Sequence, residues 1–238
     1  MKRLLLSILI AAASLEAAAQ EPAPLQSDLQ YASYLVSNSR GALAYSTINS
    51  IIKSHPQCAE AYYLRAKAYM GDSNMKSASR DIDYAIKLSP SSAEYIWLKT
   101  QMLYSEDKIK EAAQHLSKVM QIDGDFAADY DDRKILAAEI LALSGSAIDA
   151  LPLINSVSQP SARLCRARGI AYAMAQMNSM AISELSSAMD LDPSLTDCKL
   201  WQALAKYQMG QRAEAREEWE SALQRRDFRA KKFLEKYK

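Results

Sequence analysis

Alanines recur along this chain at intervals of 34 residues, and larger apolar residues recur with them. Ala44, Ala78 and Ala112 keep that step, as do Ile48, Ile82 and Leu116, and Ile51, Ala85 and Val119. Pro56 and Pro90 share it, with Gly124 in the next slot. Past an irregular stretch it resumes in Ala181 and Ala215, Leu185 and Trp219, Ala188 and Ala222. Several positions holding one period together mark a stacked helical array, because each short unit needs neighbours to bury its apolar faces. Composition agrees. Only six Gly and seven Pro in 238 residues favour helix over a turn-rich β fold, and 49% apolar with 24% charged residues is the balance of a folded chain. A net charge of +1 supplies no general attraction for nucleic acid, which needs a clustered positive field.

Residues 59–92 show the unit. Tyr62, Ala66 and Tyr69 recur at i, i+4 and i+7 and share one helical stripe. Gly71, Asp72, Ser73 and Asn74 interrupt with turn chemistry. A second stripe runs through Ala78, Ile82, Ala85 and Ile86 until Pro90 stops it. The unit is therefore an antiparallel helix pair. Ala66 and Ala78 let its helices approach closely, while Tyr62 and Ile82 fill the gap to the next pair.

With these residues at these spacings, the chain resembles the tetratricopeptide repeat (TPR) family. That pattern places an aromatic, a small residue and an aromatic on the first helix, then alanine, a bulky residue, alanine and a closing proline. Residues 59–92 match it through Tyr62, Ala66, Tyr69, Ala78, Ile82, Ala85 and Pro90. Residues 162–195 match through Gly169, Tyr172, Ala181, Leu185, Ala188 and Pro193. Units 25–58, 93–126 and 196–229 fit through Ala32 and Ala44, Leu103 and Ala112, and Ala203 and Ala215. The resemblance implies an all-α, right-handed α-solenoid of about six TPR helix pairs plus a C-terminal capping helix that ends in 230–238. The cap is read from Phe228, Phe233, Leu234 and Tyr237 set among basic residues, since a last repeat otherwise exposes an apolar flank.

Residues 127–161 depart from the pattern. Gly145 reads as the turn between helices, which makes Ala150 the equivalent alanine, yet counting 34 from Ala112 comes closer to Ala147. Pro152 would remove a hydrogen bond inside the second helix. The expectation is a longer first helix, a kinked or short second one, and altered curvature. At the other end, Lys2-Arg3, an apolar run from Leu4 to Ala13 and Ala17-Ala18-Ala19 have the order of a signal peptide over 1–19. Residues 20–24 then read as an extended leader. The mature chain is expected to be exported, periplasmic or associated with the cell envelope.

A second ladder runs along the first helices. Leu29, Tyr63 and Trp97 are equivalents, as are Ser33, Lys67 and Gln101, and Val36, Met70 and Tyr104. In the TPR family the corresponding stripe lines the concave groove that holds peptides or partner helices. The resemblance thus implies a protein–protein interaction scaffold whose groove includes Leu29, Tyr63, Lys67, Met70, Trp97, Gln101 and Tyr104, with Arg163 and Arg166 adding positive charge further along. Packing is the competing role for the aromatic members. A self-associating structural component of the envelope, its acidic middle meeting its basic end, is the alternative; that basic end could also touch an anionic membrane surface.

Chemistry finds little support. His55 and His115 fall in no catalytic or metal-binding motif, and no glycine-rich phosphate loop occurs. Asp123, Asp125, Asp129, Asp131 and Asp132 lack the spacing of a calcium loop and read as an inter-repeat turn followed by an acidic helix N-terminus. No enzyme activity, cofactor or metal is expected. Cys58, Cys165 and Cys198 are an odd set without metal-ligand spacing. Cys165 and Cys198 occupy nearly equivalent points of adjacent repeats, so a disulfide and simple burial both remain open, with burial favoured by the distance between packed helices.

Overall fold

The computed structural model describes residues 23–125 and 130–237, so the expected signal peptide and residues 20–22 of the leader lie outside the described residues. Among these are thirteen helices and no strand. They pair as α1 (Ala23–Ser37) with α2 (Gly41–Ser54), α3 (Ala59–Gly71) with α4 (Met75–Leu88), and α5 (Ala93–Ser105) with α6 (Ile109–Ile122). Then follow α7 (Asp131–Ser144) with α8 (Ala147–Asn155), α9 (Ala162–Met174) with α10 (Asn178–Leu191), and α11 (Cys198–Gln208) with α12 (Arg212–Gln224). A last helix, α13 (Ala230–Lys236), stands alone. Ala23 and Pro24 are helical rather than extended. Proline is tolerated there because the first turn has no intrahelical use for its missing N–H.

Two compact bodies divide at Lys99 and Thr100, within α5. In the N-terminal body, Ala32 and Leu35 of α1 meet Ala44, Ile48 and Ile51 of α2 and Leu64 of α3 in one core. Polar clips tie the helices at their half-buried edges. Arg65 on α3 donates through Nε and Nη2 to Asp81 on α4 at 2.6 and 2.9 Å. In the C-terminal body, Arg168 on α9 reaches Glu184 on α10 through Nη1 alone, at 3.1 Å, and its Nε is buried without a hydrogen-bond partner.

One backbone feature sets the register. Ser39, Ser73, Asp107 and Gln176 all have φ between 54° and 61°, and Gly145 and Gly210 have φ of 107° and 95°. Each lies in the turn between the two helices of its repeat, five residues before Ala44, Ala78, Ala112, Ala181, Ala150 and Ala215 respectively. Left-handed backbone at this point reverses the chain after one helix. It also identifies Ala150, fully buried, as the equivalent alanine of the irregular repeat. Ala150 falls 38 residues after Ala112 and 31 before Ala181, so the period slips and then recovers. The first helix of that repeat has 14 residues against 13 in α3 and α5, and the second has 9 against 14, with Pro152 inside it.

The small-residue seam explains close helix approach. Ala32, Ala66, Thr100, Ala138, Gly169 and Ala203 hold one equivalent position, and all are buried. At Gly169 an added Cβ would stand 2.5 Å from Leu185 Cγ and 3.2 Å from the Leu185 backbone nitrogen. Gly169→Ala should therefore destabilise by about 1–3 kcal/mol, although alanine is the better helix former by about 1 kcal/mol. Urea melts of the variant check this; a gain in midpoint would show that α9 and α10 separate without cost.

The chain end is closed as the sequence implied. Trp219 of α12 is fully buried, with Phe233 stacked on it at 5.4 Å and Tyr237 at 5.9 Å. Phe233 also meets Trp201 edge-on at 5.0 Å. The Trp219 indole N–H donates to the Leu200 carbonyl at 3.0 Å.

All three cysteines are unpaired. Cys198 opens α11 and is buried with Leu185 and Ala188, against which Cys165 packs. Burial, followed by the charge of Asp197, pushes the Cys198 thiol up to about 11. A thiol raised on folding leaves stability untouched below its ordinary range. Above about 9 the unfolded chain loses the proton first, so stability falls until the folded value is passed. Between pH 9 and 11 this group should remove about 2 kcal/mol, and Cys198→Ala should flatten that part of the stability profile. Parallel slopes for parent and variant would contradict it.

Candidate partner-binding groove

The residues of the expected groove are divided between the two bodies. In the N-terminal body, Tyr63 and Lys67 on α3 are half-buried and adjacent, the ammonium 5.5 Å from the ring centroid. Tyr63 also lies 4.9 Å from Tyr95. Met70 is half-buried near the end of α3. Leu29, only 4% exposed, belongs to the core with Ala61 and Leu64. Trp97 is 5% exposed. These two side chains are therefore packing residues and not ligand anchors. Their ladder position borders the seam between helix pairs, where an apolar side chain gains more by burial than by facing water.

The C-terminal body holds a cavity of about 430 Å³ between first helices α5, α7, α9 and α11 and the terminal helix α13. Leu143, Met174, Leu200, Trp201 and Phe233 give it apolar walls. Its floor is charged. Glu139, in the apolar run of α7, is 3% exposed, and Arg166 on α9 donates to its Oε1 at 2.7 Å. The Tyr104 hydroxyl on α5 donates to the same oxygen. Arg166 also donates through Nε and Nη2 to Asp197 Oδ2 at 2.9 and 2.7 Å. Asp197 is the residue just before α11 and is buried. Arg229 continues the chain of charges, 3.8 Å from Asp197 Oδ1 and 2.8 Å from Asp227 Oδ2.

Electrostatics fixes the protonation of this floor. Burial by itself would lower the Arg166 pKa, but the charges and hydrogen bonds of Glu139 and Asp197 outweigh it, and the guanidinium is held protonated above its ordinary range. Burial, reinforced by Glu139, holds the Tyr104 phenol above its usual value, so it remains a donor. Hydrogen bonding from Arg229 keeps Asp227 below the usual carboxylate range.

Of the residues read from the sequence, Tyr104 and Arg166 thus meet in one site through Glu139. Gln101 is half-buried on α5 and does not line the cavity. Arg163 is exposed on α9, paired with Asp132 at 3.1 Å, also outside it. Sequence reasoning missed Glu139 and Asp197. Glu139 is the equivalent of Lys67 and Gln101 once the 38-residue step is applied, and a lone carboxylate within Ile135-Leu136-Ala137-Ala138-Glu139-Ile140 was the available signal.

No family model and no curated protein matches the chain. Solved structures resemble it in fold. PilW, a widely conserved type IV pilus biogenesis factor, superposes with a TM-score of 0.60 at 17% identity, over 85% of this chain and 93% of that one. YrrB, described as a TPR protein with an unusual peptide-binding site, gives 0.58 at 18% identity over 82% and 95%. PilF of Pseudomonas aeruginosa gives 0.58 at 14% identity over 89% and 97%. The chain has the tetratricopeptide-repeat fold, an all-helical repeat architecture. No helix among the described residues is long and apolar enough to cross a membrane.

Proposed function

We propose that this protein is an interaction scaffold that holds a segment of a partner protein in the groove of its C-terminal body. The observation that carries this reading is the cavity itself, with apolar walls and buried charged groups converging on its floor. Apolar surface supplies affinity in such a site and a few fixed polar groups supply selectivity. YrrB, which shares the fold, has a peptide-binding site. The N-terminal order of basic, apolar and small residues supports export, and the likeness to a pilus biogenesis factor is compatible with an envelope setting. The basic C-terminus is already engaged within its own chain, through Arg229 with Asp197 and Asp227 and Lys232 with Asp107, which leaves less charge for self-association or membrane contact.

A photo-crosslinking residue at Leu143, on the cavity wall, tests the reading in cells. It should trap one discrete partner that a crosslinker at the exposed Lys118 of α6 does not trap. Capture should be lost when Tyr104 is replaced by a bulkier side chain that fills the site. Equal capture from both positions, or capture indifferent to filling the cavity, would remove the groove assignment.

A further inference from the structure

The floor of the cavity is occupied with itself. Arg166 stands between Glu139 and Asp197, and none of the three side chains is more than 20% exposed. What remains for a visitor is the apolar wall and the exposed part of the lining. That part is mainly cationic, with Arg229, Lys232 and Lys236 set against Asp107 alone. Arg229 and Lys232 are 54% and 63% exposed. Lys232 meets Asp107, and Asp227, which lies outside the lining, takes the Nε and Nη2 donors of Arg229.

Lys236 is the charge left over. It is exposed, lies 5.3 Å from the centre of the Tyr237 ring and meets no carboxylate among the described residues. Arg229 Nη1 is also unspent, since it stands 3.8 Å from Asp197 Oδ1, beyond hydrogen-bond length. Next along the chain, Glu106 pairs with Lys108 and Lys231 with Glu235, so neither neighbour adds an excess of either sign. An exposed cation is content in water, so these groups demand no ligand. They select among ligands, because charge across an interface favours partners of opposite sign and repels those of the same sign.

We infer that the cavity takes a large apolar side chain from within the partner segment, and that aspartate or glutamate residues beside it set their carboxylates against Lys236 and Arg229. Leu143, Trp201 and Phe233 receive the apolar group, and the carboxylates stay at the mouth, where pairing requires no deep burial of charge. This inference rests on the scaffold reading of the same groove and adds the chemistry of the occupant.

Capped heptapeptides with a central phenylalanine, flanked on both sides by glutamate, glutamine or lysine, make the test. Calorimetry on the full chain at low salt should show the glutamate peptide binding about fivefold or more tightly than the glutamine one, the worth of one or two exposed ion pairs. The lysine peptide should bind more weakly than both, and the differences should fade at about 0.5 M salt. Lys236→Glu, which breaks no ion pair, should abolish the glutamate preference, whereas Lys118→Gln on the exposed face of α6 should leave it intact. Equal binding of the three peptides overturns the acidic assignment and leaves the groove standing. A glutamate preference that survives Lys236→Glu, or that Lys118→Gln weakens as much, overturns it too. Binding by none of the three overturns the acidic assignment, while crosslinking from position 143 judges the groove separately.

Discussion

Arg166→Met should lower the unfolding free energy of the C-terminal body by about 3–5 kcal/mol, the cost of leaving buried carboxylates without their counter-charge. The side chain itself is 20% exposed, but the groups it serves, Glu139 and Asp197, are at 3% and 9%. Methionine replaces much of the apolar stem and none of the five N–H donors, so the loss isolates the charged contacts. A triple variant with Glu139→Gln and Asp197→Asn should recover most of the lost stability, because no unpaired charge remains. Urea melts of the parent and both variants decide the matter. A triple variant no more stable than Arg166→Met would mean that packing and not charge is responsible.

Trp219→Ala should be comparably severe, about 3–5 kcal/mol, which corresponds to a fall in Tm of about 10 °C or more. The indole is fully buried and is the shared surface for Tyr207, Phe233 and Tyr237, with centroid distances of 5.7, 5.4 and 5.9 Å. Its removal also deletes the indole's hydrogen bond to the Leu200 carbonyl. The helix α13 has seven residues, too few to persist without packing. The variant should therefore lose its near-ultraviolet aromatic signal and expose the chain to proteolysis after Arg225 or Arg226 while α9 and α10 remain protected. Trp219→Phe should retain part of the docking. A protected C-terminus in Trp219→Ala would show that α13 is held by contacts other than the indole.

Most of the fold was legible because the alanine seam leaves little freedom. Ala44, Ala78, Ala112, Ala181 and Ala215 must each sit against a partner helix, and only small side chains permit it. Counting failed between Ala112 and Ala181, where the period lengthens to 38 and then shortens to 31, and the left-handed Gly145 was the reliable marker. The site was legible in part. Tyr104 was named from the ladder and Arg166 as positive charge further along the groove, but a ladder fixes only which way a side chain leaves its helix. Whether it ends in water or in a neighbour depends on size and polarity at the seam, and there Leu29 and Trp97 turn into packing residues. Glu139 was hidden because its repeat breaks the period, and Asp197 because it precedes its helix instead of lying on a stripe.

The run of alternating charges from Glu139 through Arg166 and Asp197 to Arg229 and Asp227 has a consequence for how the molecule comes apart. Repeat arrays tend to unzip from an end, since each unit feels only its immediate neighbours. Here a group before α11 is held by one on α9, which is held by one on α7, and a residue beyond α12 reaches back to the same aspartate. Fraying of the terminal repeat would take Asp197 from Arg166 and break the shared charge contacts in the repeat before it. The C-terminal body should consequently open in one step, and amide exchange in α7, α9 and α11 should be governed by a common opening event.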